Sequence, residues 1–410
     1  MNRLILRKIL AFLAQRVLKK YQPKIVAIGG SYGKTSTKEA IFQVLRNHFR
    51  VQATFANLNT DIGVPCTIIK GYDAKRNIIL WLQNFSKALK LILFKDKDYP
   101  EILVLEMAAD KPGDLKYLTQ LFRPEISVLT GIGEPPVHLA NYPSLESLLA
   151  EKAYLFKNLK PNGLAILNQD SKRIDYFKKE IKTKFLTFGF DESSQIRISD
   201  YRFHQAEYQN LDHSYISFNV SYQGNVVPFR MPVIFKSYAY AAAAAVAVGL
   251  NFNLHLVEIS EALNNFCPPE HRLALKKGIK NSWLIDDSYN SSPDSLKVAL
   301  EALAQFQVGR KIAVLADMLE LGEETEPAHL KIGEIIFNYA DVFIAIGPKM
   351  KFAFEKASEE NISKKELFWF ENSFEAKKMI QDFLREGDLV LLKGSHAMHL
   401  EEVLAEIIYL

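Results

Sequence analysis

The stretch from Ile25 to Ile41, IVAIGGSYGKTSTKEAI, sets an apolar, β-branched run before Gly30-Ser31-Tyr32-Gly33 and then Lys34-Thr35-Ser36. Strand, glycine loop and helix start in that order aim backbone N–H groups and the positive end of a helix at an anion. Lys34 would reach the terminal phosphates of a nucleotide, and the Thr35 hydroxyl would ligate Mg²⁺. The position five residues before Gly33 is Ile28 rather than glycine, so the pattern is Gly-x-x-Gly-Lys-Thr, shorter than the strict phosphate-loop spacing. Three other segments end in groups suited to the same chemistry. EILVLEMAAD carries Glu106, ISVLTGIG runs into a loop containing His138, and GLAILNQD ends in Asn168 and Asp170. Lys152 lies in the helical run AEKAYLF. Singly, each has a plain structural reading as a strand-end carboxylate, a loop histidine or a solvated lysine. Gathered at one sheet edge beside a phosphate loop, they suit phosphoryl transfer, where metal ions bridge phosphate oxygens and offset developing charge. Glu106 with Thr35 would hold one Mg²⁺, and His138 would help to hold a second.

The elements that must position these groups alternate. Apolar strands separated by helical stretches (Thr37 to Phe49, and Ser144 to Leu159 with Ser144 as N-cap) predict an α/β fold with a mostly parallel, doubly wound sheet. Residues 183–235 read as a small antiparallel β insert, and Tyr238 to Leu250 as an alanine-rich helix. A second α/β unit starts near residue 272, with strands expected at SWLIDDSY, RKIAVLAD, DVFIAIG and DLVLLKG. The expected domains are a basic N-terminal helix (1–23), a P-loop-type nucleotide-binding domain (24–270) and a C-terminal Rossmann-like domain (271–410).

Bulk composition excludes more than it assigns. A net charge of +4 over 410 residues gives no nucleic-acid footprint. Cys66 and Cys267 form neither a disulfide framework nor a metal-ligand spacing, which points to a reducing, cytoplasmic compartment. MNRLILRKILAFLAQRVLKK is basic, with Leu6, Ile9, Leu10, Leu13 and Val17 at helical spacing. Its apolar runs are too short for a signal peptide or a membrane span. Two readings stand: a helix on an anionic membrane surface, or a helix packed on the protein's own body, the second being preferred. Ile78 to Phe94 poses the same choice, with Trp81, Phe85, Leu89 and Ile92 as one apolar stripe. Peripheral membrane contact, if made, would therefore involve residues 1–22 and 74–98.

Taken in order, GGSYGKTSTKE, NLNTDIGVP, LEMAAD, VHLANYPSLESLLAEKAYLF, ILNQD, HRL, DDSYNSSPDS, LADMLELGEE and KGSHAMHLEE resemble the Mur ligases over about residues 24–406. The resemblance implies an ATP-dependent, ADP-forming carboxylate–amine ligase of peptidoglycan-precursor synthesis that works through an acyl phosphate. Within the family, the motifs are nearest to the members that add D-alanyl-D-alanine to a UDP-N-acetylmuramoyl tripeptide. A different peptide or glycan carboxylate at the membrane surface is the alternative, and a non-catalytic nucleotide-binding scaffold a third. By the same resemblance, Gly30, Ser31, Gly33, Lys34, Thr35 and Ser36 hold the ATP phosphates. Two Mg²⁺ ions fall to Thr35, Glu106, His138 and Lys152, the lysine as a carbamate. Asn168 contacts adenine, while Arg272, Asp287, Tyr289 and Asn290 close over the nucleotide. Asn57, Asn59 and Thr60, with Lys393 and Ser395, are assigned to the substrates. A monomer is expected.

Four departures bear on substrate choice. Only about two dozen residues precede the loop, where the family carries a uridine-nucleotide domain. Ser237-Tyr238-Ala239-Tyr240-Ala241 replaces a His-Asn-x-x-Asn run. His396 stands where Lys-Gly-Ser is followed by arginine, and residues 74–98 read as an insertion.

Overall fold

The computed structural model describes residues 3–55, 58–134, 136, 138–360 and 365–409. Nine strands form the first sheet: β1 Lys24–Gly29, β2 Val51–Ala53, β3 Ile102–Glu106, β4 Ile126–Leu129, β5 Leu164–Asn168, β6 Lys184–Gly189, β7 Ile196–His204, β8 Tyr215–Tyr222 and β9 Asn225–Met231. Their order is β2-β3-β1-β4-β5-β6-β7-β8-β9, parallel as far as a short β6–β7 pairing and antiparallel from β7 to β9. The expected antiparallel insert is thus an extension of this same sheet, and β6 belongs to its parallel part. β1 shows why the strands read as unbroken apolar runs. Val26 and Ile28 enter one core while Ile25 and Ala27 enter the other, so both faces are buried.

Among the described residues, ten helices accompany this sheet: α1 Arg3–Tyr21, α2 Lys34–Leu45, α3 Gly63–Ile68, α4 Ile78–Leu93, α5 Asp114–Phe122, α6 Leu145–Lys152, α7 Tyr154–Lys157, α8 Ile174–Glu180, α9 Ser237–Asn251 and α10 Leu256–Leu263. α2 and α9 pack together on one face, where the run Ala241 to Ala245 is fully buried and lets the two helix backbones approach. α1, α3, α4, α5 and α7 contribute to the core on the other.

Two boundaries differ from expectation. α2 starts at Lys34 rather than Thr37, because Gly33 caps it at φ 74°, a left-handed conformation suited to glycine. The expected helix over 144–159 breaks at Ala153 into α6 and α7. Ser144 does cap α6, its hydroxyl accepting from the Ser147 N–H and the Ser147 side chain answering at the Ser144 N–H, an arrangement contributing about 1 kcal/mol.

The N-terminal helix packs on the body of the protein. It buries Leu6, Leu10, Leu13, Ala14 and Val17, and Arg3 and Arg7 approach the Asp61 carboxylate at 3.0 and 3.4 Å. At its other end, Lys20 Nζ donates to the carbonyls of Leu91, Ile92 and Phe94. These are carbonyls left unpaired at a helix C-terminus, where a cation also meets the negative end of the dipole.

The second sheet contains β10 Ala274–Gly278, β11 Ser282–Asp287, β12 Arg310–Ala316, β13 Val342–Ile346, β14 Glu366–Phe370 and β15 Asp388–Lys393, in the order β10-β11-β15-β12-β13-β14. Only the β10–β11 pair is antiparallel. The edges β10 and β14 were not among the expected strands. Both are only partly buried, and charged residues interrupt β10 at Lys276 and Lys277.

Because Ala244 of α9 is wholly buried in the core that α9 shares with α2, Ala244→Leu should overpack that core and cost about 1–3 kcal/mol. Urea unfolding of the two proteins would read this directly; an unchanged midpoint would contradict the close packing.

Candidate active site

The phosphate loop is held in shape by a neighbouring strand end. Ser31 N–H donates to Gly131 O at 2.7 Å, and Thr130 N–H to Gly29 O at 3.0 Å. Gly30 takes φ 147°, and a Cβ there would stand 2.2 Å from Thr130 Oγ1 and 3.0 Å from Gly131 O. Glycine is required at that position by both backbone and space. The Ser31 hydroxyl is buried with no hydrogen-bond partner among the described residues. A buried polar group left unpaired is costly, and an incoming phosphate oxygen would satisfy it.

Two lysines converge on the Gly30 carbonyl. Lys34 Nζ donates to it at 3.1 Å and Lys152 Nζ at 3.4 Å. Loss of water holds Lys34 below the usual lysine range, against the opposing pull of Glu106. Lys152, at the C-terminal end of α6 and 1% exposed, is driven down to about 7, by burial first and by the nearby Lys34 charge second. Near neutral pH, Lys152 therefore exists partly as a free amine.

Glu106 lies opposite them at the end of β3, 3% exposed. Thr35 Oγ1 donates to Glu106 Oε2 at 3.0 Å, and Asn59 Nδ2 to Oε1 at 3.1 Å. Among the described residues, both oxygens are thus held by neutral donors. A carboxylate so buried without a paired cation suits a divalent ion, whose charge would compensate its lost hydration. The donor set of Thr35 and Glu106 therefore fits Mg²⁺. No group of three His, Cys, Asp or Glu placed to hold a metal ion occurs among the described residues, so oxygens of the nucleotide would have to complete the coordination.

His138 sits apart from this carboxylate, between two acids. Its Nδ1 is 2.7 Å from Glu320 Oε2, off the axis of a good hydrogen bond, and Nε2 is 3.4 Å from Asp110 Oδ1. Burial lowers its pKa despite the pull of Asp110, which favours the neutral imidazole that metal coordination needs. Asn168 is buried, with Nδ2 donating to Thr130 O and Oδ1 accepting from Asp170 N–H, so its amide braces the loop.

The C-terminal domain reaches into this group. Arg272 Nη2 lies 3.5 Å from Thr35 Oγ1, and its guanidinium stacks 3.9 Å over the Tyr289 ring. Glu134 N–H donates to Asp294 Oδ2 at 2.6 Å, a further contact across the cleft. Lys393 is fully buried, 2.5 Å from Asp287 Oδ2 and 2.9 Å from the Asn290 carbonyl. Burial lowers the lysine and raises the aspartate, and their attraction opposes both shifts. This pair holds the Asn290 turn. Ser395 Oγ accepts from Leu319 N–H at 2.9 Å.

Tyr238 and Tyr240, in the first turn of α9, each make a hydrogen bond to another segment. The Tyr238 hydroxyl interacts with Ser36 and donates to Arg272 O at 2.6 Å, while Tyr240 donates to Asp170 Oδ2 at 2.8 Å.

The structure brings Lys34, Thr35, Glu106, Asn59, Lys152 and Arg272 together. Thr60 adjoins them through the Asn59 backbone and accepts the Gly63 N–H on its hydroxyl. Asn57 lies outside the described residues. Asp110, Thr130 and Glu320 were not picked out as site residues. Asp110 and Glu320 stand inside the motifs LEMAAD and LADMLELGEE, whose acids were the available signal, whereas Thr130 carried none.

A phosphate loop with a buried metal-ready carboxylate, closed by a second α/β domain, defines a nucleotide-dependent group-transfer protein. The chain belongs to the Mur ligase family. A family model described as Mur ligase middle domain matches residues 28–249, and one described as Mur ligase, glutamate ligase domain matches residues 271–396. The UDP-N-acetylmuramoyl-tripeptide–D-alanyl-D-alanine ligase of Bacillus subtilis is 28% identical over 407 residues, covering 97% of this chain and 78% of that protein. The enzyme of the same name from Rickettsia prowazekii is 27% identical over 391 residues, covering 93% and 77%. Among solved structures, MurF ligase from Thermotoga maritima in complex with ADP superposes with a TM-score of 0.77 at 25% identity, covering 98% of this chain and 83% of that one. MurF from Acinetobacter baumannii shares the fold with a TM-score of 0.80 at 23% identity, covering 98% and 80%.

Gly30→Ala should displace Thr130 or unwind the loop, weakening ADP binding by at least about tenfold while leaving the fold intact. Titration calorimetry with ADP tests this; wild-type affinity in the variant would refute the loop's role.

Proposed function

We propose that this protein is an ADP-forming ligase that adds D-alanyl-D-alanine to a UDP-N-acetylmuramoyl tripeptide. The observation that carries the reading is the single cluster of Lys34, Lys152 and the Thr35–Glu106 pair under Arg272. It is supported by family membership and by similarity to enzymes of that name along almost the whole chain.

A carboxylate is a poor acyl donor until one of its oxygens becomes a good leaving group. The peptide carboxylate oxygen attacks the γ-phosphorus of ATP, and ADP departs. The dipeptide amine then attacks the carbonyl carbon, and the tetrahedral adduct collapses to an amide as phosphate leaves and the nitrogen sheds a proton. Two anions must meet in the first step, so cationic screening is the main requirement. Lys34, the loop N–H groups and the positive end of α2 hold the transferred phosphoryl group. Arg272 adds a cation from the opposite side as the domains close. Thr35 and Glu106 would hold Mg²⁺, which would supply charge neutralisation as the phosphoryl group moves. His138 belongs to a second cation position in this reading. Asn168, Asp287, Tyr289 and Asn290 shape the nucleotide side, with the Asp287–Lys393 pair positioning Asn290. Asn57, Asn59, Thr60 and Ser395 are assigned to the peptide substrates.

Lys152 is assigned as a carbamate. The modification requires a neutral amine to attack CO₂, and burial makes that form accessible from about pH 7 upward. It would also replace a cation repelled by Lys34 with an anion attracted to it.

Phosphate release from ATP should require the UDP-muramoyl tripeptide and D-alanyl-D-alanine together, with a product heavier by the dipeptide. Release independent of the dipeptide would overturn the acceptor assignment. Lys34→Ala should lower turnover by at least about a hundredfold with an unchanged melting temperature. Activity after CO₂ depletion should recover on adding bicarbonate above pH 7 and fail to recover near pH 6, where Lys152 is protonated. Equal recovery at both values would remove the carbamate.

A further inference from the structure

α1 and α4 are packed neighbours, each buried on one side, and each carries an apolar side left exposed among the described residues. On α4, Asn84, Ala88 and Leu91 face inward, while Ile79, Leu82, Leu89 and Leu93 point outward. Leu82 is 63% exposed and Leu93 is 71% exposed. On α1, Ile5 and Phe12 are more than half exposed on the side opposite Leu10 and Val17. More than half of the large apolar side chains standing exposed among the described residues lie on these two helices or on Phe94, which caps the second. A helix apolar on both sides is ordinarily buried on both. Patches of this kind on a soluble protein mark an interaction surface.

The charge around the apolar residues selects the partner. α1 displays Lys8, Arg16 and Lys19 on its exposed side and has no acidic residue. α4 carries Lys90 on its exposed side and also lacks an acid; Lys75 and Arg76 precede it after Asp73, and Lys95 and Lys97 alternate with Asp96 and Asp98 after it, so the excess of positive charge lies mainly on α1. A second copy of the chain would set cation against cation. An anionic lipid surface would meet the lysines with headgroup charge and the leucines and isoleucines with acyl chains. No helix among the described residues is long and apolar enough to cross a membrane, so the arrangement suits lying on the surface. The Lys20 contacts with the last carbonyls of α4 hold the two helices together as one platform.

We infer that the exposed faces of α1 and α4 form a docking surface for an anionic lipid bilayer. The ligase site would then sit on a body anchored at the membrane face. The link is short: Arg3 and Arg7 of α1 hold Asp61, two residues from Asn59, which contacts Glu106.

The test is co-sedimentation of the full chain with vesicles of phosphatidylglycerol and phosphatidylethanolamine, or of phosphatidylcholine alone. Anionic vesicles should bind at least about tenfold more strongly, with the difference lost in about 0.5 M salt. The triple variant Leu82→Ser/Leu89→Ser/Leu93→Ser should lose at least about thirtyfold in partitioning. Lys8→Glu/Lys19→Glu should lose about tenfold. All of these side chains are exposed, so ADP binding and melting temperature should be unchanged, which separates lost docking from lost folding. Failure of the wild type to bind anionic vesicles, or equal binding by the leucine variant, overturns the proposal. So does lipid-independent self-association that the same variant abolishes, which would assign the surface to a second copy.

Discussion

Two ammonium groups approaching one backbone carbonyl are the feature around which this site is built. Lys34 and Lys152 both reach Gly30 O, in a region with little water to screen them. Their repulsion is the electrostatic counterpart of an anion site: it is relieved when phosphate arrives or when one of the amines ceases to be a cation. The rest of the loop serves that carbonyl. Gly30 takes a backbone angle that only glycine adopts readily, Thr130 closes the space where a side chain would project, and Gly33 starts α2 so that its N-terminus faces the same point.

At the cleft mouth the two domains meet through polar contacts, while behind it Phe203 packs on Phe306 and Trp283 donates to the Tyr208 carbonyl. Arg272 approaches Thr35, His138 stands between Asp110 and Glu320, and Glu134 N–H meets Asp294. In the proposed mechanism, Mg²⁺ would compete with the first of these for the Thr35 hydroxyl. Contacts of this strength, a few kcal/mol at most, suit a cleft that opens and shuts during turnover. The Tyr238 hydroxyl, bonded to Ser36 and to the Arg272 carbonyl, ties the phosphate-loop helix to the segment bearing the arginine.

Much of this was legible along the chain. The alternation of apolar strands and helices foretold both α/β sheets, because burial on two faces leaves a continuous apolar run. Gly30, Gly33, Lys34, Thr35 and Glu106 were recognisable because phosphate binding demands particular residue types at fixed local spacing. Less local features escaped. β10 and β14 are edge strands with too little buried surface to leave a pattern. The break at Ala153 and the start of α2 at Lys34 were set by packing and by one glycine dihedral.

By itself, the amino-acid sequence determined the glycine loop before α2 and the two α/β units, since each rests on residues close together in the chain. Tertiary structure decided the charge states and the partners. Lys152 is an ordinary helical lysine until folding removes its water and places it beside Lys34, 118 residues away in sequence. His138 meets its second acid only when the second domain brings Glu320 to it, and burial lowers its pKa against the pull of both carboxylates. The outward leucines of α4 look like core residues until the fold shows that the other side of the helix already packs against the body. Burial and long-range electrostatics depend on distances in space, and these were not available from the order of residues.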